Sequence, residues 1–98
     1  MIPFVIVNLD KPRKLRFGMG ASIEYEQITG KKLMAIGDED ITMDMLATLL
    51  WAGLKHEDKS LTKDAVIEIV DEHAESIADV VNSITEAINA AYQTRKNA

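Results

Sequence analysis

The chain contains no cysteine. Disulfides and thiolate chemistry are excluded, and a reducing compartment is permitted. Aromatic residues are scarce, at 5% of 98 residues, so the core has to be built from Ile, Leu, Val, Ala and Met. Basic residues are outnumbered 11 to 16, for a net charge of −5. That balance argues against a nucleic-acid binder, which needs a basic face to displace counterions from phosphates. It argues equally against docking on an anionic membrane. It suits solubility, or a basic protein partner. No apolar run comes near the ~20 residues that a bilayer-spanning helix needs. The opening Met1-Ile-Pro-Phe-Val-Ile-Val-Asn8 lacks a basic n-region and is too short for a signal peptide.

What is present fits one domain over residues 1–98. A domain of this size buries roughly 60–65% of its unfolded surface, so burial against a partner matters to it. The pattern predicts a mainly α (α+β) fold of four helices behind a short N-terminal two-stranded β-hairpin. Residues 1–17 form the hairpin. Phe4–Leu9 is rich in β-branched residues, Asn8-Leu-Asp-Lys-Pro12 has turn chemistry, and Arg13–Phe17 alternates polar and apolar.

Helices are expected over 18–30, 42–56, 62–74 and 76–95. The first has Ala21, Ile23, Tyr25 and Ile28 near one face, Glu24, Glu26 and Gln27 opposite, and Gly30 as its stop. An irregular connector follows over 31–36, then an acidic turn at Gly37-Asp-Glu-Asp40. The second helix takes Thr42 as N-cap, places Asp44 in its first turn, and is apolar over most of its circumference, as befits a central core helix. The third starts after Thr62, with Leu61 and Val66 as a hydrophobic staple and Val66, Ile69 and Val70 inside. The fourth takes Ser76 as N-cap and repeats Ile77, Val80, Val81, Ile84, Ala87, Ile88, Ala91 and Tyr92 at threes and fours.

Each apparent chemical motif has a simpler reading. Gly18-Met-Gly20 before a helix lacks the third glycine of a dinucleotide fingerprint and the GK[ST] ending of a P-loop, so the glycines serve a strand-to-helix turn. His56-Glu-Asp58 has no second histidine at ligand spacing and reads as a solvated loop. Asp38-Glu-Asp40 lacks the closing glutamate of a calcium loop. Glu24 and Glu26 sit on a wet helix face, and no serine occupies a nucleophile elbow. No catalytic, metal or cofactor-binding residue is therefore expected, and the chain is not read as an enzyme. Trp51, the single tryptophan, is either a core anchor or an interface anchor. Met43 and Met45 suit adaptable packing.

With those residues in view, the chain resembles the tail assembly chaperones of long non-contractile-tailed phages and prophages (siphoviruses). The resemblance covers roughly residues 13–92. It rests on the order of Leu15-Arg-Phe-Gly-Met-Gly-Ala21, Glu24-Tyr-Glu-Gln-Ile-Thr-Gly30, Leu50-Trp-Ala-Gly-Leu54, and Leu61-Thr62 leading into an acidic helix. These are packing and turn motifs, so the resemblance carries no catalytic residues. It implies a non-catalytic protein–protein interaction in virion assembly, in the host bacterial cytoplasm. The partners it implies are the tape measure protein, bound before the tail tube polymerises, and the major tail protein, which the chaperone helps recruit. It also implies absence from the mature virion, and a short form alongside a longer frameshift product. Homo-oligomers are compatible with it. A groove framed by the second and fourth helices, with Trp51, Leu54, Ile84, Ile88 and Tyr92 nearby, is the expected client site. Two rivals remain: a head–tail connector or tail-completion protein that stays in the particle, and a small regulatory or toxin–antitoxin-type module.

Overall fold

The computed structural model describes residues 3–33 and 41–92. The acidic turn at 37–40, half of the connector before it (34–36) and the last three residues expected of the fourth helix lie outside them. The order is β1 (Val5–Asn8), β2 (Pro12–Leu15), α1 (Met19–Thr29), α2 (Met43–Leu54), α3 (Lys63–His73) and α4 (Ile77–Tyr92). The protein is mainly α with a small antiparallel hairpin, as the patterning implies.

In the hairpin Val5 faces Leu15, Ile6 faces Lys14, Val7 faces Arg13 and Asn8 faces Pro12. Side chains alternate across a strand. Val7, Arg13 and Leu15 are accordingly buried, while Phe4, Ile6 and Lys14 point outward. The buried Arg13 is held by Asp10 through a two-pronged bond: Nε and Nη2 each donate to a carboxylate oxygen at 2.7 Å. A planar guanidinium matches a carboxylate in this way, which lets a cation sit under the hairpin tip.

The caps fall where side-chain chemistry puts them. Thr42 Oγ1 accepts from the Met45 N–H at 3.0 Å, Thr62 Oγ1 from Ala65 at 3.1 Å, and Ser76 Oγ from Asp79 at 3.0 Å. Gly30 ends α1 at φ 73°, donating its N–H to Glu26 O at 2.8 Å. Only glycine takes that left-handed position without strain.

α2 is the hub, packing against α1, α3, α4 and β2. Eight of its twelve residues are buried. Its last turn lies against β2 at a distance only glycine permits. A Cβ at Gly53 would stand 2.5 Å from Leu15 Cδ1 and 2.9 Å from Phe17 Cζ. The Gly53 carbonyl accepts the Arg16 N–H at 3.1 Å, stitching helix to strand. α4 supplies the other wall: Val80, Ile84, Ala87 and Ile88 are buried at helical spacing, and the helix packs on both strands and on α2.

Two expected faces are corrected. In α1, Ile23 and Ile28 are 46% and 52% exposed, and the buried face is Ser22 and Tyr25. Two residues span about 200° of helix, so Ile23 cannot share a face with Tyr25. The buried stripe instead starts from Ser22, whose hydroxyl donates to Gly18 O at 3.0 Å and bonds the Tyr92 hydroxyl. In α4, Ile77 is 43% exposed, because the first turn runs past the core into a cleft beside α3.

Candidate functional site

α3 packs on α2 and on no other described element. It buries Val66 alone and leaves Ile67 38% exposed. The result is an apolar groove of about 390 Å³ between α2, α3 and the start of α4. Leu46, Leu50, Val66 and Val80 are buried at its floor, and Met43 and Ile77, 62% and 43% exposed, stand at its mouth. Asp44 and Asp71 also line it. Lys63 pairs with Asp44 at 2.5 Å. α3 itself carries Asp64, Glu68, Asp71 and Glu72 against the one Lys63, so the groove lies along an acidic helix. The groove can take the apolar side chains of another helix, and its charge favours one with flanking lysine or arginine.

Of the five residues expected to frame a groove, three belong to one hydrophobic core and two, Trp51 and Tyr92, pack against it. Leu54, Ile84 and Ile88 are buried in it. Their apolar spacing is a core signature here, because α4 turns that stripe toward the hairpin and α2. Trp51 is half-buried, with its Nε1–H donated to Leu61 O at 3.0 Å and Lys55 Nζ 4.8 Å from the ring centre. That indole ties α2 to the loop before α3. Tyr92 is half-buried and bonded to Ser22. The groove residues that sequence reasoning passed over are Ile67 and Ile77. Their signal was present: Ile67 falls off the Val66–Val70 stripe, and Ile77 starts its helix.

The groups with displaced proton affinity lie at the hairpin tip and in the loop after α2. The hydrogen bond from Arg13 holds the Asp10 carboxyl below the usual aspartate range, and the same bond raises Arg13. Asp58 is lowered by bonds from the Ser60 hydroxyl and N–H. Among the described residues no three His, Asp or Glu side chains are placed to share a metal ion. No described helix is long and apolar enough to cross a membrane. The chain matches no protein-family model, no curated protein and no solved structure.

Proposed function

We propose that this protein is a phage tail assembly chaperone that holds amphipathic helical segments of the tape measure protein in the groove between α2, α3 and α4. The observation that carries the reading is that groove: open, apolar, edged by an acidic helix and served by the adaptable side chain of Met43. The resemblance of residues 13–92 to that family supports the same role. A long helical client exposes many apolar stripes. Shallow grooves on many copies of a small protein cover those stripes through repeated weak contacts, and release them when the tube forms. The chaperone also helps recruit the major tail protein, works in the host bacterial cytoplasm and stays out of the finished virion. It acts without catalysis.

Co-expression with the tape measure protein encoded beside it tests the reading. The tape measure protein should become soluble with the native chain. Ile67→Glu places a carboxylate in the groove mouth, and should lower the soluble client about tenfold while the chaperone itself stays folded. An insoluble client with the native chain, or full solubilisation by a folded Ile67→Glu variant, overturns it.

A further inference from the structure

The hairpin has one closed edge and one open edge. Along β2, Lys14 gives its N–H to Glu57 Oε1 at 3.1 Å, its carbonyl lies 2.8 Å from His56 Nε2, and the Arg16 N–H goes to Gly53 O. These bonds point away from β1. Antiparallel pairs alternate between hydrogen-bonded and non-hydrogen-bonded positions. Ile6, opposite Lys14, is therefore at a non-hydrogen-bonded position, and both its backbone groups point outward. Asn8 repeats the arrangement two residues on, opposite Pro12, which has no N–H to give. Among the described residues no hydrogen bond closes this edge. Strands left so are normally guarded by a charge, a proline or a bulge. The Val5–Asn8 strand has none of these, and its only guard is its shortness, four residues.

The open edge looks into a cleft of about 490 Å³. Ile6, Val7, Asn8 and Leu9 line one side, and the other is lined by Glu75, just before α4, and by Asp79 and Glu86 on α4. No described ion pair engages those three carboxylates. The outward face beside the edge carries Phe4 and Ile6, each 46% exposed, with Lys14 Nζ 5.2 Å from the centre of the Phe4 ring.

We propose that β1 accepts an extended basic segment of a partner protein as a third strand. Its backbone pairs with Ile6 and Asn8. Alternate side chains point to opposite faces of a strand, so Lys or Arg on one face meets Glu75, Asp79 and Glu86. A β-branched or aromatic residue on the other face continues the surface of Phe4 and Ile6. Main-chain bonds provide the affinity, and the carboxylates provide the selection. This site is separate from the helical groove and stands whether or not the groove reading does.

The test is a titration of the isotope-labelled full chain, followed at each backbone amide. The probes are acetyl-Lys-Val-Lys-Val-Lys-amide and its counterpart with Glu in place of every Lys. The basic probe should shift the Ile6 and Asn8 amides and slow their hydrogen exchange at least about fivefold at saturation. The acidic probe should do neither. Asp79→Lys with Glu86→Lys, checked for folding by circular dichroism, should weaken the basic probe about tenfold. Binding of neither probe, equal binding of both, or shifts confined to Ile67 and Ile77 would overturn the proposal. So would protection of the Ile6 amide that grows with protein concentration alone, since a second copy would then hold the edge.

Discussion

α2 meets its surroundings through two sides of similar composition and opposite fate. On one, Gly53 brings the helix against Leu15 and Phe17, both fully buried, and the contact is sealed. On the other, Leu46, Leu50 and Met43 face α3 across an open groove. The difference does not lie in how apolar α2 is. It lies in what each side is offered. The hairpin and α4 together close the first side, whereas α3 brings a single buried residue, Val66, to the second. An apolar stripe is thus a request for burial, and the neighbouring elements decide whether it is met. The unmet side is the one available to a partner.

The largest effect should come from the sealed side. Gly53→Val places a Cβ and two methyl groups where Leu15 and Phe17 already stand. Neither neighbour can retreat, because both lie in the close-packed core. The expected loss is about 3 kcal/mol, and Gly53→Ala should lose about 1 kcal/mol because its better helix propensity offsets part of the clash. Urea unfolding measures both. A Gly53→Val protein as stable as the native one would mean that the seam is loose, and the contrast between the two sides of α2 would fail.

A smaller effect belongs to the hairpin tip. Asp10 is held below its ordinary value in the folded state, chiefly by Arg13, so the folded protein favours the carboxylate. Its contribution is complete above the ordinary aspartate value and disappears as the pH falls through the lowered folded value. Asp10→Asn should cost about 1 kcal/mol near neutrality, tempered by the partial exposure of the pair. The cost should shrink toward zero only as the pH falls through the lowered folded value, where the native carboxyl is also protonated. Urea midpoints of both proteins across that range test the assignment. A gap that stays constant with pH would show that Asp10 acts by shape and not by charge.

Much of this fold is legible in the residues themselves, and what is legible is local. Thr42, Thr62 and Ser76 announce helix starts because their hydroxyls reach an N–H three residues on, whatever the rest of the chain does. Gly30 announces an end for a comparable reason. Helix geometry separates Ile23 from Tyr25, but which of the two faces is buried is not legible, because an 11-residue helix with apolar residues on several sides leaves that choice to its neighbours. The burial of Arg13 depends on Asp10 curling back over the turn. Trp51 stood out as an anchor, but the partner of its indole is the carbonyl of Leu61, ten residues away across a loop. The groove was hardest to foresee. It arises from how little α3 touches, and Ile67, off the Val66–Val70 stripe, hints at an exposed residue but not at a groove.

The smallest expected effect on stability lies in the groove, and it is the most discriminating. Ile67 and Ile77 are large apolar residues whose side chains stay substantially in water. Replacing either with Gln removes little buried area and leaves no buried polar group without solvent. Each variant should therefore unfold within about 0.5 kcal/mol of the native protein. The same two changes should weaken capture of the helical client, because the groove mouth loses its apolar contact. A loss above about 1 kcal/mol in the isolated protein would place these side chains in a closed interior in solution. α3 would then seal its side of α2 as tightly as the hairpin seals the other, and no surface would be left for a client helix. Retained stability with weakened capture separates a surface kept open for a partner from a core that is merely thin.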